Sequence, residues 1–213
     1  MWEKIKNDAM LRDSGVDKDL DDVAKYDVTA SSYDELYRGE QYSKYSVLVG
    51  IVNGKLNSSL VLDAGCGTGL LLEYLRENNI DKYARYICLD PSTGMIERLA
   101  GKNIDHRVIP VVGYAEEIPV RDSSIDIVVS ITTWSNIADK EKAVNEFIRV
   151  TKENGLIVVS KHLKHNTIPP SLINKCFKEV VVHIDAFYTC KPVNKASSGY
   201  RVSSPLENTF KDY

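Results

Sequence analysis

The segment Val61-Leu62-Asp63-Ala64-Gly65-Cys66-Gly67-Thr68-Gly69-Leu70-Leu71-Leu72 constrains the fold of this 213-residue chain more than any other. A short apolar run leads into three glycines spaced two apart, and an apolar helix start follows at once. The pattern predicts a buried strand, a tight turn and a helix. Glycine permits the turn, and it lets a ligand approach the backbone where a side chain would clash. In open α/β sheets such a turn lies at the carboxyl edge of the strands, where ligands bind. A glycine triplet alone serves any strand-to-helix turn, so its meaning depends on what surrounds it.

What surrounds it is an alternation of short apolar runs with amphipathic stretches of helical length, the signature of a mainly parallel sheet with helices on both faces. Strands are expected over 60–64, 85–89, 107–112, 125–131 and 156–160, and helices over 69–78, 92–100 and 140–152. In the last helix Ala143, Val144, Phe147, Ile148 and Thr151 recur at three-four spacing, so one face should lie on the sheet. Asn154-Gly155 then reads as the turn into the fifth strand. Pro169-Pro170 opens a short helix through Cys176, and 180–184 with 187–190 read as a closing hairpin that turns near Asp185-Ala186. The expected fold is α/β: a doubly wound, seven-stranded, mainly parallel sheet with a C-terminal antiparallel hairpin.

Ahead of the first strand, Tyr42, Tyr45, Leu48, Val49, Val52 and Leu56 form an apolar stripe at helical spacing. Residues 1–58 are therefore expected to be a helical extension packed on a core domain at 59–193, with a loosely held polar tail at 194–213. The length suits one such domain. With 43% hydrophobic and 27% charged residues, no apolar run of membrane-spanning length and no secretory leader pattern, a cytoplasmic protein without a membrane anchor is expected. Cys66, Cys88, Cys176 and Cys190 include no C-x-x-C pair, so buried thiols are expected rather than zinc, another metal or a disulfide framework. The net charge of -3 is uneven: from Lys161 onward eight basic residues face four acidic ones, whereas the first sixty residues hold eight against eleven. A basic last third leaves an anionic partner open beside the plainer reading of a solvated face.

Asp90 ends the second apolar run and precedes Pro91-Ser92. A carboxylate at that strand tip can accept hydrogen bonds from both hydroxyls of a ribose, or it can cap the helix that starts near Ser92. The dinucleotide fingerprint G-x-G-x-x-G would need glycine where this chain has Leu70. Nicotinamide-dependent oxidoreduction is thus the second reading of the same turn.

Taken together, these residues resemble the class I S-adenosylmethionine-dependent methyltransferase family, in its small ubiquinone-biosynthesis-like, type 11 branch. The resemblance covers roughly residues 24–192. It rests on Asp63-Ala64-Gly65-Cys66-Gly67-Thr68-Gly69, on Leu89-Asp90-Pro91-Ser92 with Met95-Ile96 after it, on Gly113-Tyr114-Ala115-Glu116-Glu117-Ile118-Pro119, and on Asp122-Ser123-Ser124-Ile125-Asp126-Ile127-Val128. It implies that Gly65, Gly67 and Gly69, with Ala64 and Cys66 between and beside them, take the methionine and ribose portion of S-adenosyl-L-methionine. Asp63 would reach the donor's ammonium, directly or through water. Asp90 would hold the ribose with Pro91 beside it, Ala115 would offer its amide to the adenine next to Glu116, and Ser130 to Thr132 would end the fourth strand beneath the sulfonium. Asp126 is read as structural. Tyr114 departs from the family, which commonly has Asp there; a phenol could replace that bond to the adenine or stack on the ring.

The stretch Tyr26-Asp27-Val28-Thr29-Ala30-Ser31-Ser32-Tyr33-Asp34-Glu35-Leu36-Tyr37 resembles the lid such enzymes place over the donor. Tyr33 either faces the sulfonium end, which an aromatic face tolerates, or packs the helix on the domain. Trp134 either stacks on a planar acceptor or lies in the core, and His162 is either a proton acceptor or a solvated strand-end residue. Methyl transfer from a sulfonium needs alignment more than acid or base, so no catalytic residue is named. Ser130-Ile131-Thr132-Thr133-Trp134 stands where amino-group methyltransferases carry an N-P-P-Y type motif. A small-molecule acceptor is favoured, and RNA remains open. The resemblance also allows either a monomer or a pairing with a small activating subunit along a sheet edge. A member of the fold that binds without catalysing is the third reading.

Overall fold

A computed structural model of the chain describes residues 15–52, 54–102, 104–163 and 176–192. The expected short helix ending at Cys176 and the polar tail lie outside the described residues, apart from Cys176 itself. The described residues begin with α1 (Gly15–Val52), then alternate β1 (Leu60–Ala64), α2 (Leu70–Glu77), β2 (Arg85–Asp90), α3 (Thr93–Ala100), β3 (Val108–Val112) and β4 (Ile125–Ser130). A 3-10 turn at Trp134–Asn136 leads to α4 (Lys140–Val150), β5 (Thr151–His162), β6 (Lys178–Val182) and β7 (Asp185–Cys190). The seven strands lie in the order β3-β2-β1-β4-β5-β7-β6. The first five are parallel, and β7 runs antiparallel to both β5 and β6.

Two apolar layers explain why the strands read as continuous runs: both faces of the sheet are covered. On one face Leu62, Val128, Ile157 and Val159 pack against Ala143, Val144, Phe147 and Val150 of α4. On the other, Val61, Ile127, Val129 and Val158 meet Tyr45, Leu48 and Val52 of α1 and Leu70, Leu71 and Leu75 of α2. The buried positions of α1 include Ala30, Asp34, Gln41, Lys44, Tyr45, Leu48 and Val52, mostly at three-four steps, so one stripe of the helix faces the domain along most of its length. Asp126 is structural, as expected: its carboxylate accepts from the Leu60 N–H at 2.9 Å and pairs with Lys152 at 2.7 Å.

Three expectations are corrected. The fifth strand begins at Thr151 rather than residue 156, because Thr151 pairs with Ile125 and the register against β4 shifts between Ile125 and Ile127. Asn154-Gly155 thus lies inside a bulged strand and is no helix-to-strand turn. A Cβ on Gly155 would overlap the Thr151 side chain and sit 2.9 Å from the Asp126 carbonyl oxygen, so space, not turning, selects glycine there. The hairpin turns at His183 and Ile184, two residues earlier than expected, with the His183 N–H donating to the Asp185 carbonyl at 2.9 Å. Finally, Cys176 and Cys190 form a disulfide with Cα atoms 5.1 Å apart, leaving Cys66 and Cys88 as buried thiols. The pairing follows from the hairpin: Lys178 is registered with Thr189, which brings the residue after Thr189 alongside the approach to β6.

Candidate active site

The glycine turn leaves β1 at the carboxyl edge of the sheet. Gly65, Gly67 and Gly69 have φ of 83°, 54° and 79°, a region that residues with a Cβ occupy only at a cost. Gly65 has a second reason: an added Cβ would overlap the side chain of Thr133. The turn is tied to β2 by the Gly65 and Cys66 N–H groups, which donate to the Leu89 carbonyl at 2.7 and 3.2 Å.

Asp90 completes the tie. One oxygen accepts from the Gly67 N–H at 2.8 Å and the other from the Ser92 N–H at 3.0 Å. Burial pushes its pKa up, while these two N–H groups pull it down. Each oxygen keeps a lone pair for a further donor. Asp90 is not the cap of α3, since the Ser92 hydroxyl takes that role by accepting from the Met95 N–H at 3.1 Å.

An open crevice of about 860 Å³ lies over this edge. Of the residues singled out from the sequence, Tyr33, Gly65, Gly67, Asp90, Pro91, Tyr114, Ala115 and Glu116 line it. Glu116 also accepts from the Ala138 N–H at 2.9 Å and the Asp139 N–H at 3.3 Å, which fixes the approach to α4. Tyr114 is half exposed at the rim.

The remaining expected residues lie elsewhere. Asp63 is buried beneath the turn and accepts the Tyr86 hydroxyl at 2.9 Å; desolvation pushes its carboxyl up to about 7, against the lowering effect of that bond. Ala64 is core. Cys66 points its thiol at the Gly67 carbonyl, 3.6 Å away, and burial holds it protonated. Gly69 sits at the start of α2 against Leu99. Ser130 is fully buried with a hydroxyl that has no partner among the described residues. Trp134 is 3% exposed within the core under α4, so it packs and offers no face to an acceptor. His162 ends β5 beside Glu40, outside the crevice lining.

Ile131 and Thr132, expected with Ser130 at the end of the fourth strand, also line the crevice, whereas sequence reasoning assigned no role to the other walls: Val23, Tyr26, Met95, Gly113, Thr133, Asn136 and Ile137. Tyr26 was legible only as part of a lid-like stretch. Asn136 and Ile137 carry no local signal, since the 3-10 turn that aims them is set by packing of Trp134.

The first half of α1 roofs the crevice and is pinned at several points. Asp27 accepts from the Ser92 hydroxyl at 2.6 Å and the Gly94 N–H at 2.9 Å, which holds its carboxyl below the usual range. Asp34 accepts from the Thr68 hydroxyl and pairs with Lys102 at 2.7 Å. Glu73 pairs with Lys102 at 2.5 Å and with Arg38 at 2.7 Å. Tyr26 accepts from Asn136 at 2.9 Å, and its ring lies edge-on to Tyr33, with centroids 6.3 Å apart. Desolvation raises the Tyr33 hydroxyl well above its ordinary pKa, so it stays neutral.

A nucleoside fits this lining: a backbone cradle without side chains, a carboxylate with spare lone pairs at the second strand tip, apolar walls from Met95, Ile131 and Ile137, and aromatic rings above. A methyltransferase domain family model matches residues 62–159. The demethylmenaquinone methyltransferase of Renibacterium salmoninarum is 34% identical over 152 residues, 71% of this chain and 60% of that protein. This chain therefore spans well under two thirds of that relative's length. A solved S-adenosylmethionine-dependent methyltransferase structure from Methanococcus maripaludis superposes with a TM-score of 0.65 at 15% identity, over 81% of this chain and 94% of that one. A structure containing the Haloferax volcanii Trm112 methyltransferase activator and its partner methyltransferase matches with a TM-score of 0.56 at 22% identity, covering 63% and 59%. The two structural likenesses speak for the fold and the sequence matches for the family: this chain belongs to the class I S-adenosylmethionine-dependent methyltransferases.

Proposed function

We propose that this protein transfers the methyl group of S-adenosylmethionine to a small organic acceptor. One observation supports this above the others: Asp90 stands on the crevice wall with both oxygens anchored by backbone N–H groups and a lone pair left on each. In this reading Asp90 receives the ribose hydroxyls, Gly65 and Gly67 pass beneath the methionine portion, Ala115 and Tyr114 meet the adenine, and Tyr33 faces the sulfonium end. The donor supplies an activated methyl group with its own leaving group. The chain's part is to hold the acceptor in line and keep water away, which the roof of Val23, Tyr26 and Tyr33 suits. Asp63 lies below the turn, so a link to the donor's ammonium would run through the backbone or a water.

The acceptor end of the crevice is apolar at Val23, Ile131 and Ile137. This apolar lining supports a neutral, planar small molecule over RNA, in keeping with the demethylmenaquinone acceptor named for the Renibacterium relative. A small protein partner is a second reading for the sheet edge, where β3 exposes Ile109 and Val112. The nicotinamide reading is not favoured, since the last glycine of the turn directly precedes Leu70, which is buried in the core.

Calorimetry with S-adenosylmethionine, S-adenosylhomocysteine and NAD tests this. The first two are expected to bind and NAD to give no heat, and Asp90→Asn is expected to weaken binding by about thirtyfold, or about 2 kcal/mol. Binding of NAD alone would overturn the assignment. Labelled donor incubated with quinone and phenol fractions, and separately with RNA before and after nuclease, then sorts the acceptor class.

A further inference from the structure

Thr132 is the most strained residue in the crevice wall. Among the described non-glycine residues with positive φ, Ser58, Asn79, Ser123 and Thr132, it alone is β-branched, at 64°. Such a conformation persists only where its surroundings over-determine it. Here the surroundings form a closed ring. The Thr132 N–H donates to the Ser160 hydroxyl at 2.9 Å, and that hydroxyl donates to Asp185 Oδ2 at 2.7 Å. Asp185 Oδ1 lies 3.1 Å from the Lys44 ammonium, and Lys44 donates to Thr132 Oγ1 at 3.2 Å. Thr132 Oγ1 in turn faces Gln41 Oε1 at 3.3 Å.

Lys44 and Asp185 are both fully buried. Glu40, half exposed, adds a second carboxylate at 2.7 Å from Lys44, and His162 lies within electrostatic reach of Glu40. A desolvated ion pair of this kind seldom adds stability over apolar residues of the same volume. Its placement is informative instead: it joins α1, β5 and β7 at the middle residue of the segment 131–133 that leads from β4 into the crevice, next to Thr133, which closes on Gly65.

We propose that Lys44 is a positioning residue for donor binding, acting through Thr132; the inference rests on the methyltransferase reading above. The ammonium and the Ser160 hydroxyl grip Thr132 by side chain and backbone and keep residues 131–133 in the arrangement that walls the crevice. The helix that roofs the site thereby also sets its floor.

The test is a double-mutant cycle on the full chain, read by calorimetric titration of S-adenosylhomocysteine and by thermal melts. Lys44→Met and Ser160→Ala are each expected to weaken binding about tenfold. In a Thr132→Gly background, where glycine adopts the left-handed conformation unaided, the same two changes are expected to alter affinity by less than about twofold. Ser160→Ala removes one hydroxyl and carries the test if Lys44→Met does not fold. Equal losses in both backgrounds overturn the route through Thr132. A lowered melting temperature with unchanged affinity reduces the ring to a structural ion pair and overturns the proposal outright. Wild-type protein that gives no heat with S-adenosylhomocysteine overturns the methyltransferase reading itself, and this inference with it.

Discussion

At the scale of single residues, chemistry was legible where it depends on backbone conformation and less so where it depends on burial. The glycines and Asp90 announce themselves by spacing, because a left-handed turn and a strand-tip carboxylate are local features. The fate of Asp63 was not legible: only the fold brings Tyr86 over it and seals both from water. Burial raises the Asp63 carboxyl from 3.8 to about 7. Over that window the unfolded chain binds fewer protons than the folded one, so this residue makes stability fall as pH rises from 3.8 to about 7. Asp63→Asn keeps an oxygen for the Tyr86 hydroxyl and removes the titration. The urea midpoint of the wild type should therefore drop relative to Asp63→Asn between about pH 4 and about pH 7.5. Parallel curves across that range would show that Asp63 is ionised within the fold.

At the scale of elements, the strands were legible because both faces are buried and each reads as an unbroken apolar run. The start of β5 was not, since Thr151, Lys152, Glu153 and Asn154 are polar, and the strand begins there because Thr151 is registered opposite Ile125 before the register shifts. The same contrast divides α1. Its last turns show an apolar stripe through Tyr45, Leu48 and Val52, whereas the stretch just before them turns Asp34, Gln41 and Lys44 inward, and polarity hides the periodicity there. The first half of α1, which roofs the site through Val23, Tyr26 and Tyr33, is held by directional bonds at Asp27 and Tyr26, where the end of the helix is held by apolar area. Removing one bond should loosen the roof without unfolding the helix. Asp27 is the best choice, because it sits outside the crevice lining and meets the Ser92 hydroxyl and the Gly94 N–H at the α3 N-terminus. Asp27→Ala is expected to speed S-adenosylhomocysteine release about fivefold to tenfold with little change in association, as read by stopped-flow fluorescence. An unchanged release rate would mean that the roof does not gate the site.

At the scale of the whole molecule, the sheet separates stability from binding. The crevice occupies the carboxyl edge of the parallel strands, where Asp185 and the end of β5 also lie. Cys190 is at the other end of β7, registered with Ile157 in the middle of β5, and it ties the hairpin to the approach to β6. No spacing rule could expose this bond in the sequence, because the partners meet only once two strands have paired across fourteen positions. A crosslink closing a loop of that length restricts the unfolded chain by about 3 kcal/mol. Reduction, or Cys176→Ser, should thus lower the melting temperature by about 5–10 °C. The crevice residues come from β1 to β4, α1 and their connections, away from the crosslink, so S-adenosylhomocysteine affinity below the transition should hold within about twofold. Melting curves with and without reductant, paired with titrations at 20 °C or about that temperature, separate the two effects. A loss of affinity that tracks the loss of the bond would instead mean that the hairpin transmits its order through Asp185 and Ser160 to the wall of the site, joining the two ends of the sheet into one cooperative unit.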